Sequence, residues 1–207
     1  MERITYSTGN TALVLVDLLN DFLAEDGKVN GRIKEQLEER NFVANMTRLI
    51  AGAREKGLQI VFAPHGLHEH SFDDVAEIPV RMQGAMQHKI FWLGEKGSDF
   101  YEPFRPHDED LIATRHRTFD AFFRTDLDEQ LRSRGIERLV MAGLTSHTCI
   151  ESSARSATEL GYHLTFLTDA VAEFTPEAHK AAVEISYPTF GHQVLTIDTF
   201  LSAVEAA

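Results

Sequence analysis

Residues 11–17 read TALVLVD: an almost unbroken apolar run from Thr11 to Val16, rich in branched side chains, and then a carboxylate. Alternating polar and apolar residues would mark a strand with one wet face. A short continuous apolar run marks a strand buried on both faces, as in a parallel sheet covered by helices. The chain on either side fits that reading. Glu35–Lys56 carries Leu37, Val43, Met46, Leu49, Ile50 and Ala53 at helical spacing and stops at Gly57. Leu58–Ala63 is a second strand, ended by Pro64, and Asp110–Ala113 a third. Asp126–Arg134 is a helix closed by Gly135, and Glu137–Ala142 a fourth strand ended by Gly143. Thr148–Leu160 is a helix closed by Gly161, followed by a fifth strand at Tyr162–Thr168. Pro176–Ile185 is a helix with proline in its first turn, Gln193–Ile197 is the sixth strand, and a short helix ends the chain.

Strand and helix in alternation predict an α/β fold: one domain over 1–207, three layers (α/β/α), with a mostly parallel six-stranded sheet and right-handed crossovers. Residues 65–108 break the rhythm and hold the only tryptophan, Trp92. An irregular insertion of that length reads either as a lid or as an arm for oligomer contact.

The chain has 207 residues, 43% hydrophobic and 25% charged, in the ordinary globular range. Its 32 acidic and 20 basic residues give a net charge of −12, which argues against nucleic acid or an anionic membrane as partner. The opening stretch MERITYSTGN has no apolar core of a secretory signal, and the longest apolar run, Ala12–Val16, is too short to cross a bilayer. One cysteine, Cys149, forbids an internal disulfide and points to a cytoplasmic location. No GxGxxG or GxxxxGK[ST] motif is present, so nucleotide-binding readings fall away.

Open α/β sheets bind ligands at the carboxyl ends of their strands, where the winding direction reverses. Neighbouring first and fourth strands would bring Asp17 and Cys149 to one cleft. Cys149 follows the turn Gly143-Leu144-Thr145-Ser146-His147 near a helix start. There the helix dipole and free N–H groups are expected to lower the thiol pKa and to hold an oxyanion. The alternative is a buried, inert cysteine packed as a small hydrophobe. Asp17 and Asp21 are each open to two readings, one capping the turn and the other serving chemistry.

Three segments together resemble the isochorismatase-like cysteine hydrolase family: VDLLNDF (Val16–Phe22), HRTFDAFFRTDLD (His116–Asp128) and GLTSHTCIESSARSATELGY (Gly143–Tyr162), with LTDAV (Leu167–Val171) downstream. The resemblance implies a catalytic Asp, Lys and Cys. Asp17 and Cys149 match two of these; His116, with Arg115 beside it, stands where the lysine is expected, as in a subgroup with histidine there. Leu19 replaces a glutamine often found two residues after the aspartate. A cis peptide at Leu144–Thr145 is implied, with the amides of Thr145 and Cys149 as the oxyanion hole. The implied activity is hydrolysis of a C–N bond in a small amide or ureide through a thioester on Cys149, without a cofactor, in a homodimer or homotetramer. Candidate pocket residues are Phe22, His65, Trp92, Arg115, Phe119 and Ser146, with Tyr101 a further aromatic candidate. Arg115, Arg117 and Arg124 are candidates for receiving an anionic substrate.

No metal is expected. His65, His68 and His70 cluster, but Ala63 breaks the Asp-x-His pair that metal-binding relatives carry. His147 reads as a local hydrogen-bonding residue. A serine hydrolase is the nearest chemical rival, yet residues 143–147 lack the final glycine of a nucleophile elbow. The rival from another class is a non-catalytic ligand-binding or scaffold protein with a decayed triad.

Overall fold

The computed structural model of the chain describes residues 4–205. The first three residues of the opening stretch, and both ends of the domain read over 1–207, lie outside them. Eight strands run in chain order: β1 (Tyr6–Ser7), β2 (Thr11–Val16), β3 (Gln59–Ala63), β4 (Leu111–Ile112), β5 (Arg138–Leu144), β6 (His163–Ala172), β7 (Gln193–Leu195) and β8 (Val204–Glu205). The helices are α1 (Asn20–Leu23), α2 (Asn30–Glu39), α3 (Phe42–Glu55), α4 (Val80–Gln87), α5 (Leu127–Arg132), α6 (Glu151–Glu159), α7 (Pro176–Ala181), α8 (Tyr187–Phe190) and α9 (Ile197–Ser202). No helix among the described residues is long and apolar enough to cross a membrane.

Six strands form one parallel sheet in the order β4-β3-β2-β5-β6-β7. The parity of β2 explains its sequence. Leu13 and Leu15 face a cluster with Ile33, Met46, Leu49 and Phe200, from α2, α3 and α9. Ala12, Val14 and Val16 face the opposite cluster, with Leu127, Leu131, Ala154 and Tyr187 from α5, α6 and α8. Both faces are dry, so no polar alternation survives in the strand. The winding reverses between β2 and β5, which pair from Thr11↔Arg138 to Val16↔Gly143. Their carboxyl ends therefore lie side by side.

Several boundaries differ from the sequence reading. Glu35–Lys56 is two helices, because Asn41 adopts a left-handed φ of 49° between α2 and α3, a conformation asparagine tolerates better than most residues. β6 runs on to Ala172, past Thr168, still pairing with β5 beyond a register shift at Met141/Gly143. The helix at Cys149 opens with a π-helical turn, Ser146–Ile150. A second π-helical turn, Ala182–Ser186, joins α7 to α8 just before Pro188, which has no N–H to give a regular helix. The β1–β8 pair was unreadable, at two residues per strand.

Gly143 sets how closely the two central strands approach. Its φ is 120°, and a Cβ there would lie 2.1 Å from the Val16 carbonyl oxygen. Gly57 also has a positive φ of 73°, but nothing lies within 4 Å of a Cβ there. Chemical denaturation separates the two. Gly143→Ala is expected to cost about 3 kcal/mol or more, and Gly57→Ala about 1 kcal/mol, the left-handed backbone alone. Equal costs would show that backbone conformation, and not the approach of β2, governs Gly143.

Candidate active site

Asp17 leaves the end of β2 with φ 56° and is 1% exposed. The left-handed turn stops the strand and places the carboxylate beneath the carboxyl edge of the sheet. Its Oδ1 accepts two hydrogen bonds, from the His65 backbone N–H at 2.6 Å and from His116 Nε2 at 2.9 Å. Oδ2 is buried and has no partner of ordinary hydrogen-bond geometry. The Cys149 thiol lies beside this carboxylate, close enough for each to shift the other's ionisation.

His116 is 1% exposed and bridged between two acceptors, Asp17 Oδ1 through Nε2 and the Thr118 carbonyl through Nδ1 at 3.2 Å. Only the doubly protonated ring satisfies both. Burial works to lower its pKa, but the Asp17 charge and hydrogen bond outweigh burial and raise it. For Asp17, burial works upward, and His116 brings the carboxyl below its ordinary range. His65, packed 4.8 Å from the His116 ring, is the opposite case: burial, reinforced by the charge on His116, pushes its pKa down to about 3. Two adjacent histidines are thus split, one charged and one neutral.

Cys149 sits in the π-helical turn and is 5% exposed. The helix start was expected to lower its pKa. The reverse holds: burial and the neighbouring Asp17 carboxylate raise it well above its ordinary value, against smaller opposing hydrogen bonds from Thr148 and the Thr145 backbone. At neutral pH the resting sulfur is a thiol. The Leu144–Thr145 peptide is cis, and the Thr145 backbone donates toward the sulfur. The turn is held from outside by Glu173, whose Oε2 accepts from the His147 N–H at 2.9 Å, and by Tyr187, whose hydroxyl donates to the Ser146 carbonyl at 3.2 Å.

Cys149 opens onto a cavity of about 420 Å³, to which Phe22, His65, Phe119 and Thr145 also contribute. Trp92, Arg115 and Ser146 do not reach it, and the sequence reading is corrected there. Trp92 packs on the insertion's own small apolar cluster around Leu67, with Lys89 Nζ 5.4 Å from its ring centre. Arg115 turns away, donates to the His65 carbonyl at 2.7 Å and lines a separate cavity with Arg117 and Arg124, both paired to Asp74. Ser146 is fully buried against His179. Tyr101 packs on Phe104, away from the cavity. His147 bonds Glu151 at 3.0 Å. His68 and His70 point outward while His65 points in, and no group of three metal-ligating side chains gathers among the described residues.

Sequence reasoning missed much of the wall. Arg81, Met82, Ile90 and Phe91 come from the insertion, and Phe174 follows β6. Asp21 holds Phe91 in place by accepting its N–H at 2.5 Å, and also accepts from Lys28 N–H. The doubled aspartates of VDLLNDF therefore divide as one group beside the sulfur and one structural tie. No residue type in the insertion marks these wall positions; only the chain's return over the sheet edge does.

The isochorismatase domain family matches residues 11–198. The chain belongs to that family of hydrolases. The ureidoacrylate amidohydrolase RutB of Rhizobium rhizogenes is 26% identical over the whole of this chain and 88% of its own. A cysteine hydrolase from Pseudomonas syringae pv. phaseolicola superposes with a TM-score of 0.80 at 20% identity, covering 98% of each chain. The nicotinamidase/pyrazinamidase PncA of Bacillus subtilis gives 0.69 at 26% identity, over 90% of this chain and 99% of its own.

The split histidines give a pH prediction. The unfolded chain takes up a proton at His65 near 6.5 and the folded chain only near 3. His65 therefore contributes stability above the unfolded value, and that contribution is lost as pH falls from about 6.5 toward 3. His116 has the opposite sign: its raised pKa contributes stability below about 6.5 that is lost as pH rises through its folded value. Imidazole nitrogen NMR should find His65 neutral and His116 doubly protonated at pH 6.5. Two rings titrating together near the ordinary value would contradict the assignment.

Proposed function

We propose that the chain is a cysteine-dependent amidohydrolase that cleaves a C–N bond of a small amide or ureide through a thioester on Cys149. The observation that carries this reading is the row His116–Asp17–Cys149, a protonated imidazole, a carboxylate and a thiol, beside a cavity of small-molecule size. The names of relatives support the class: one acts on ureidoacrylate and another on nicotinamide and pyrazinamide.

In the first half-reaction Asp17 takes the thiol proton as sulfur attacks the carbonyl carbon. The carbonyl electrons move to oxygen, which rests on the backbone N–H groups of Thr145 and Cys149. The tetrahedral intermediate collapses, the C–N bond breaks, and Asp17 returns its proton to the leaving nitrogen. In the second half Asp17 takes a proton from water, the hydroxide attacks the thioester, the C–S bond breaks, and the proton passes back to sulfur. The raised thiol pKa suits this order, because proton transfer accompanies attack and no standing thiolate is needed. His116 keeps Asp17 ionised at rest and offsets the negative charge that moves onto the oxyanion. A histidine in this place loses its charge as pH rises through its raised pKa, at a lower pH than a lysine would.

An ammonia-release assay over small amides and ureides, nicotinamide and ureidoacrylate among them, tests the reading. Cys149→Ala should lower kcat by about 10⁴-fold or more, and Asp17→Asn by about 10³-fold. Wild-type activity retained in Cys149→Ala would sink the thioester. A second expectation concerns His116. The rate should fall on the alkaline side as His116 loses its proton, and His116→Lys should move that limb to higher pH. A flat wild-type profile beside an inactive His116→Ala would contradict the electrostatic role.

A further inference from the structure

The mouth of the cavity holds two cations that the hydrolytic steps do not use. Arg32, from α2, and Arg81, from the first turn of α4, both line the cavity and are exposed. Each guanidinium carbon lies 5.0 Å from the centre of the Phe174 ring, so the two are no farther apart than twice that distance. Arg81 is also 5.9 Å from the Phe119 ring. Seven other arginines have carboxylates: Arg117 and Arg124 share Asp74, Arg54 has Asp110, Arg48 has Asp198, Arg155 has Glu151, Arg105 has Glu102 and Arg132 has Asp128. Arg32 and Arg81 have no ion pair among the described residues. Arg40, Arg115, Arg134 and Arg138 also form no ion pair among the described residues, but none of them lines this cavity. The cavity lining contains no aspartate or glutamate at all, in a chain with 32 of them. Glu173, next to Phe174, is turned to the N–H groups of His147 and Phe174.

Two like charges close to one aromatic ring and without a counterion repel each other, and an anion bound near both would relieve that repulsion. Guanidinium groups also match a carboxylate in shape, with paired donors for its two oxygens. The lining also holds His65, His88 and three threonines, but its other large side chains are apolar or aromatic, among them Phe22, Met82, Phe91, Phe119 and Phe174. We infer that the cavity takes substrates with two ends: an amide or ureide carbonyl at Cys149, and a carboxylate held by Arg32 and Arg81 across a short apolar spacer. The inference rests on the amidohydrolase reading for the orientation of the substrate, but the anion site stands on its own geometry.

Calorimetric binding to the Cys149→Ala protein tests it without turnover. The probes are succinamate against succinamide, and glutaramate against glutaramide, each pair differing only in carboxylate against amide. At low salt the carboxylate of at least one pair should bind about tenfold or more tightly than its diamide, and the ratio should shrink as salt is added. Arg32→Gln combined with Arg81→Gln, both at exposed positions, should bring the ratio near one. Equal affinities within both pairs, no measurable binding of either carboxylate, or a preference that survives the double substitution would overturn the proposal. A carboxylate preference intact in a protein that releases no ammonia from any amide would leave the anion site standing and remove the hydrolytic reading instead.

Discussion

A carboxylate without water must be compensated or protonated, and Asp17 is 1% exposed. Much of the local structure serves that requirement. The left-handed turn at the end of β2 brings the carboxylate under the sheet edge. The chain leaving β3 gives it the His65 N–H, and the chain leaving β4 gives it the His116 ring. The chain leaving β5 brings the sulfur. Four strand ends thus converge on one side chain, and the reversal of winding between β2 and β5 makes the convergence possible.

The same compensation sorts the neighbours by charge. His116 holds a proton because it faces two acceptors; His65, one ring away, stays neutral because a second buried cation there would have no partner. The sulfur keeps its proton because a thiolate would sit against a carboxylate. The site at rest therefore carries one buried positive and one buried negative charge, with a neutral nucleophile beside them. Around it, Asp21 and the pairs Lys28–Glu95 and Lys96–Asp26 tie the insertion to the residues after β2, so the wall of the cavity is fastened to the strand that carries Asp17.

Much of this was legible in the sequence, for physical reasons that can be named. TALVLVD declares a strand buried on both faces because nothing in it suits water, and that predicts the sheet and the position of Asp17 together. Asp17 and Cys149 were identifiable because each follows a strand end, whereas His116 came only from the resemblance of His116–Asp128 to the family motif. The misreadings share a different cause. Asn41 splits a helix whose apolar spacing runs straight through the break. The thiol pKa was argued from the helix start alone, while burial and Asp17, a residue far away in sequence, decide its sign. Trp92 was chosen as an aromatic and Arg115 for its charge and its place beside His116, yet Trp92 packs in the insertion's own apolar cluster and Arg115 is held on the His65 carbonyl beside a separate cavity. Arg32 and Arg81 gave no signal, because an arginine without a partner looks in sequence like any other.

The central claim is the state of one proton, shared in prospect between Cys149 and Asp17. Difference infrared spectroscopy of the free protein against Cys149→Ala reads it directly, with ultraviolet absorbance as a check for thiolate. At neutral pH the account predicts an S–H stretch assigned to Cys149, shifted in Asp17→Asn, and no thiolate absorbance. A thiolate in the resting protein, or an S–H stretch indifferent to Asp17, would contradict it.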